Sequence, residues 1–251
     1  GVFGLEFHSK MNSLGGDSVQ MTLKAVDHVE HHGVGLVVGN DGQHFSAGAN
    51  LALLLMAALE GEFDEIDIMI RQFQRMTTSL RTCARPVVIA PFSLTLGGGC
   101  EVTLHGDRVV AAAELYCGLV EGGVGLVPAG GGTKELYLRK LDALGPDADP
   151  RKAARAAFEV IGMAKVSTSA HEARDLGFLR DRDVIAFNRD HLLQTAKDEA
   201  LALAGSGYTP PALRQEIPVG GADTLALVEV GLHNFLAGRY ISDHDALIGR
   251  K

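Results

Sequence analysis

Through the first half of the chain, short β-branched runs alternate with stretches whose apolar positions recur every three or four residues. Val34–Gly39 is almost wholly apolar and predicts a buried strand, as do Pro86–Ala90 and Arg108–Ala112. Ahead of the first strand, Val19, Leu23, Val26 and Val29 share one helical face, with Asp17 or Ser18 as the N-cap. Between the first and second, Ile66, Ile70, Phe73, Thr77 and Leu80 mark a longer helix. This alternation predicts an α/β fold with a mainly parallel sheet under helices. Beyond about residue 150 the pattern turns helical, over Ala153–Ile161, Ala186–Leu203 and Thr224–Leu236, with Thr209-Pro210-Pro211 breaking the chain before the last of these. In that last segment Leu225, Val228, Leu232 and Phe235 form one stripe, but apolar residues continue onto other sides. Such a helix needs cover from another subunit, a neighbouring segment or packing on the N-terminal layer. Leu51–Leu59 is apolar as well and reads as core.

Composition narrows the classes. With 46% hydrophobic and 22% charged residues in 251, disorder is excluded. The length suits one large domain, or one domain with an appendage, divided here into a core over 1–200 and a C-terminal helical region over 201–251. A formal net charge of −8 argues against general nucleic-acid binding. No apolar run reaches the ~18 residues of a membrane span, and no signal peptide is visible. Three cysteines make no disulfide framework, which points to a reducing compartment and a cytoplasmic location. The first residue, Gly1, and the helix-like end at Arg250–Lys251 read as cut ends of a longer polypeptide.

Eleven of the 31 glycines fall within residues 97–132, and that is where the candidate chemistry lies. Four features stand out: the small-residue turn His44–Asn50, the segment Leu96–Glu101, the segment Glu121–Gly125 and the run Pro128–Thr133. Each alone has a plain structural explanation, as a tight turn, a dipole-complementing Glu or a helix start. Together they offer two backbone-donor turns and two carboxylates at the carboxyl ends of strands, where ligands bind in parallel sheets. Two donors can hold a thioester oxygen as it becomes an enolate. Two carboxylates can divide proton transfer and water activation between them. Other candidates are weaker. His28, His31 and His32 have helical spacing for a metal but read as a solvated helix end, and no metal site is assigned. His105 and Cys100 read as packing residues. Ser46 and Ser93 lack a nucleophile elbow.

The segments FSAGANL (45–51), LGGGCEVTLHGDRVVAA (96–112) and VEGGVGLVPAGGGTKEL (120–136) resemble the crotonase, or enoyl-CoA hydratase/isomerase, superfamily in order and spacing. A weaker likeness runs through HEARDLGFL (171–179), and the chain is also similar to the hydratase portion of bacterial fusions with an upstream 3-hydroxyacyl-CoA dehydrogenase. The resemblance implies a crotonase-like ββα spiral with a C-terminal helical region. It implies an oxyanion hole from the Ala49 and Gly98 N–H groups, Glu101 as the group that activates water, and Glu121 as the one that exchanges the C2 proton. It places Ala47, Gly48, Asn50, Gly97, Gly99 and Gly123 against the substrate, Leu51–Leu59 by the acyl pocket, and Lys10–Ser13 near the CoA nucleotide. The implied substrate is an acyl-CoA, with no further cofactor, and the implied assembly is a trimer-based homo-oligomer. No G-x-G-x-x-G fingerprint follows a strand, so no NAD site is expected in this chain. Asn50 stands where many members have Asp, and Val120 where Pro commonly precedes the second Glu. The late N-terminus for this family leaves a first edge strand in question. Both carboxylates together favour a hydratase; an isomerase of the same superfamily and a non-catalytic CoA-binding or assembly module are the alternatives.

Overall fold

A computed structural model describes residues 1–251. Seven strands occur in the order β1 (Val2–Leu5), β2 (Gly35–Val38), β3 (Val87–Ile89), β4 (Ser93–Leu96), β5 (Arg108–Ala112), β6 (Leu115–Gly118) and β7 (Val184–Ala186). All pair in parallel, in a five-stranded sheet of order β1-β2-β3-β5-β7 and a two-stranded sheet of β4 and β6. The three strands expected from the apolar runs are β2, β3 and β5. An edge strand is present as β1, in register with β2 from Val2 opposite Gly35 to Leu5 opposite Val38. Every residue of β2 and β3 is buried, which is why both read as continuous apolar runs.

Ten helices surround the sheets: α1 (Gly16–His32), α2 (Leu51–Glu60), α3 (Phe63–Thr82), α4 (Gly98–His105), α5 (Gly132–Leu144), α6 (Pro150–Ile161), α7 (Ala170–Leu176), α8 (Leu192–Gly205), α9 (Gly221–Ala237) and α10 (Asp243–Arg250). One core gathers β2 and β3 with buried side chains of α1, α3 and α8; a second gathers α4 with β5, β6 and α5 to α7. The one wholly buried helix is α4, which lies where the two meet.

Three expectations need correction, and one pair of strands was not expected. The segment Ala186–Leu203 is not one helix. Val184–Ala186 pairs with Val110–Ala112 as β7, Asn188 caps a 3-10 turn by accepting the Asp190 N–H, and the helix begins at Leu192. Non-local pairing there overrides local propensity. At the start of α1 neither Asp17 nor Ser18 caps the helix; Gly15 holds that position and Asp17 sits in the first turn. Leu51–Leu59 is helical but not core. Leu51, Leu53, Leu55, Met56 and Leu59 are all exposed, and Ala57 alone in that helix is buried. Finally, β4 and β6 lie in segments that carried no strand signal. In α9 the stripe Leu225, Val228, Leu232 and Phe235 faces a cavity of about 590 Å³ shared with Phe158 of α6, while Leu227 and Val230 remain exposed. No helix is long and apolar enough to cross a membrane.

The small sheet positions the site, since β4 runs into α4 and β6 into Glu121. Ser167 braces β6 from 50 residues away. Its buried Oγ accepts the Cys117 N–H at 3.0 Å and donates to the Leu115 carbonyl at 2.8 Å. Ser167→Ala leaves both buried groups unpaired and is expected to cost about 1–3 kcal/mol, read as a lower urea midpoint with an unchanged slope.

Candidate active site

The first turn of α4 is the centre of the site. Gly97, ahead of it, has φ +51° and ψ −120°, a region open in practice to glycine. Its N–H donates to the Gly118 carbonyl at 2.9 Å, which ties α4 to the end of β6. The 44–50 turn lies alongside, because Ser46 pairs with Thr95 of β4 and Ala49 with Leu14. A Cβ at Gly48 would stand 2.8 Å from the Leu96 carbonyl and 3.4 Å from the Gly98 nitrogen. The two donor turns expected from sequence are therefore in contact. Neither the Ala49 nor the Gly98 N–H donates to an acceptor within the chain. For Gly98 the reason is general, since the first N–H groups of a helix have no intrahelical partner.

Glu101 sits in the same turn, 3% exposed. Its Oε1 accepts the Gly132 N–H at 2.9 Å. Burial pushes its carboxyl up to about 7, against the opposing pull of the Gly132 and Gly130 backbone N–H groups. Glu121, half-buried, lies on the other side of Gly97, with Oε1 3.0 Å from where a Gly97 Cβ would be. Its Oε2 is buried without a hydrogen-bond partner. Burial and then the Glu101 charge push it, too, up to about 7. The structure thus brings together Gly48, Ala49, Gly97, Gly98, Glu101 and Glu121. Ala47 is held beside them by donating to the Met11 carbonyl at 3.1 Å, which also puts the Lys10–Asn12 3-10 turn at this edge of the site. Gly99 packs against Ser46. Asn50 is exposed at the start of α2. Gly123 stands apart, in an exposed turn with Ala164 as its neighbour.

Residues that the sequence did not mark complete the site. Phe73 of α3 places its ring 3.0 Å from the Cβ position of Gly98 and against Gly130, so it roofs both the donor turn and Glu101. Its helical stripe gave it only a core role. Gln74 and Thr77 donate to the Ala129 and Gly130 carbonyls at 2.7 and 2.8 Å, clamping the 128–132 segment over Glu101. A Cβ at Gly130 would overlap both the Glu101 carboxylate and the Phe73 ring, so glycine is required there for packing alone. His105 is a packing residue as expected. It is buried and its Nδ1 lies 2.7 Å from the Glu101 carbonyl, which can only accept, so Nδ1 carries the proton. Burial drives the ring down to about 4, so it is neutral at pH 7. Cys100 is buried with its Sγ 3.4 Å from that of Cys117, both free thiols. His28 meets Phe3 and His32 ring to ring while the His31 Nδ1 contacts the Asp27 carbonyl, so the trio shares no common centre.

The Glu101 shift has a stability consequence of fixed sign. A carboxyl raised from 4.5 to about 7 holds its proton more tightly when folded. Its contribution is full below the unfolded value and is lost as pH rises through about 7. Glu101→Gln, neutral throughout, is expected to gain on wild type by on the order of 3 kcal/mol between about pH 5 and about pH 9. Denaturant melts across that range check it, and a gap that does not widen with pH contradicts it.

Comparison with known proteins gives the family and the fold. The family described as enoyl-CoA hydratase/isomerase matches residues 1–144, more than half of the chain. A Bacillus subtilis (strain 168) protein named "Probable 3-hydroxyacyl-CoA dehydrogenase" is 46% identical over 247 residues, covering 98% of this chain; the chain spans 31% of that protein's length. Among solved structures, an enoyl-CoA hydratase from Polaromonas sp. JS666 aligns with TM-score 0.68 at 23% identity, over 99% of this chain and 84% of its own. One from Bacillus anthracis aligns with TM-score 0.66 at 20% identity, over 99% and 83%. These two show that the fold is that of the crotonase-type hydratases. With that family matched over more than half of its length, the chain belongs to the enoyl-CoA hydratase/isomerase family.

Proposed function

We propose that this chain is an enoyl-CoA hydratase, adding water reversibly and syn across a trans-2-enoyl-CoA to give the 3-hydroxyacyl-CoA, a step of fatty-acid β-oxidation. One observation carries the reading: two carboxyl groups with acidities near neutrality flank two unengaged backbone N–H groups at the start of one helix.

Hydration needs a base for the water and an acid for C2 at the same moment. Two coupled carboxyls near neutrality share one proton around pH 7, which supplies both. Glu101 takes a proton from water as the water oxygen bonds to C3. The π electrons move onto the thioester oxygen, where the Ala49 and Gly98 N–H groups receive the charge. Glu121 gives its proton to C2 as the enolate collapses. Glu101 is then protonated and Glu121 ionised, and the proton returns to Glu121 through solvent. Ala47, Gly48, Gly97 and Asn50 hold the thioester against these groups, while Gly99 backs the turn against Ser46 and Gly123 stands outside the contact. CoA enters as part of the substrate, and the cycle calls for no other cofactor.

The same reading makes the chain the hydratase portion of a longer polypeptide carrying a 3-hydroxyacyl-CoA dehydrogenase, for which hydration makes the substrate. The relative of that name, about a third of which this chain spans, supports it. A trimer-based homo-oligomer is part of the proposal, supported by the exposed Leu227 and Val230 of α9. A reducing, cytoplasmic setting suits the three free thiols.

Loss of enoyl-CoA absorbance with purified protein is the test. Glu101→Gln and Glu121→Gln are each expected to lower kcat by about 10²–10⁴, and the wild-type pH profile should be a bell centred near 7. Hydration that survives both substitutions overturns the roles. Turnover of a 3-enoyl-CoA that survives Glu101→Gln identifies an isomerase, and thioester binding without turnover identifies a binding module.

A further inference from the structure

A second concavity, of about 890 Å³, lies between the end of α3, one face of α5 and residues 208–217. Seven cationic side chains line it against four carboxylates, in a chain of net charge −8. Three of the carboxylates are engaged. Asp107 accepts from the Val87 N–H and the Tyr208 hydroxyl, Glu135 holds Arg81 and Lys134, and Asp142 holds Arg214. The fourth, Asp181, is exposed.

Arg180 is the exception among the cations. Its side chain has no hydrogen-bond or ion-pair partner, and its Nη1 is buried with none. The nearby Asp183 is spent on the Val109 and Arg180 backbone N–H groups. Arg139, 7% exposed in the same wall, gives both Nη atoms to the Phe178 and Leu104 carbonyls and leaves its buried Nε without an acceptor. Burial, with Arg139, Arg81 and Arg182 alongside, brings the Arg180 guanidinium down to about 9. A chain gains nothing in its fold from crowding an unpartnered guanidinium among others. The arrangement stabilises an anion, and the planar fork of arginine suits two oxygens of one phosphate.

We propose that this cleft binds a phosphate-type oxyanion, with Arg180 as its principal ligand and Arg139 and Arg182 beside it. Several guanidiniums favour a dianion over a single carboxylate. The apolar Leu138, Leu203 and Ile217 in the same wall leave room for the organic part of a phosphate ester. Neither Glu101 nor Glu121 lines the cleft, so this site is separate from the one proposed for hydration.

Titration calorimetry with inorganic phosphate and, separately, with adenosine diphosphate tests it, alongside melting temperatures in phosphate and in chloride at matched ionic strength. Saturable one-to-one binding is expected, with a melting temperature that rises with the anion. Arg180→Gln is expected to weaken binding about tenfold or more, with Arg180→Lys between. In anion-free buffer Arg180→Gln should melt no lower than wild type, because the fold gives that guanidinium no partner. Preference for the diphosphate supports an ester ligand, and equal binding of both supports free phosphate. If the wild type binds neither probe, or if Arg180→Gln lowers the melting temperature without weakening binding, the proposal is overturned.

Discussion

The structure depends on one close approach: three backbone segments close on the first turn of α4, with the Phe73 ring as its roof. The 44–50 turn, the end of β6 and the 128–132 segment all come within contact of Gly97–Glu101. A side chain at Gly48 would run into the Leu96 backbone, and one at Gly130 into the Glu101 carboxylate and the Phe73 ring. Their absence lets a carboxyl be buried beside unengaged N–H groups. Close backbone contact removes water from Glu101, and the helix terminus still presents its donors outward. The parallel β4–β6 pair, braced by Ser167, holds this geometry from behind.

Two buried acid groups, Glu101 on α4 and Glu135 on α5, are handled in opposite ways. Burial acts to raise Glu135, but the paired Arg81 and Lys134 outweigh it and hold its carboxyl well below the ordinary range. Glu101 has no cation, only backbone N–H groups, and so sits near neutrality. The first is a tether between α3 and α5; the second is a group poised to exchange a proton. His105, neutral and hydrogen-bonded to the Glu101 carbonyl, separates the two environments.

Much of this was legible in the sequence because the site is made of glycine runs at strand ends, which sit close together along the chain. The apolar runs located β2, β3 and β5, and the helical spacing located α1, α3 and α6. The segments of β4 and β6 mix Ser, Thr, Tyr and Gly with apolar residues, and their pairing is fixed by each other rather than by local pattern. Residues 186–191 looked helical because the strand partner that claims Ala186, with Val184 and Ile185, lies 74 residues earlier. Phe73 looked like core because a helical stripe tells which face is covered, not what covers it. The apolar α2 was misread for the converse reason: composition reports hydrophobicity, and burial needs a neighbour. No local signal marked Arg180, since an unpaired charge is visible only once every nearby acceptor has been accounted for.

Every strand pairing here is parallel, and several join residues far apart in the chain. Such contacts need long loops to be closed before they reward the chain. Until the 128–132 segment seats over α4, Glu101 remains in water and ionises like any carboxyl. Its acidity is therefore a property of the completed tertiary structure, not of the motif that contains it. A partly folded chain would keep the glycine-rich sequence but not the enclosure that lets two carboxyls hold one proton between them at neutral pH.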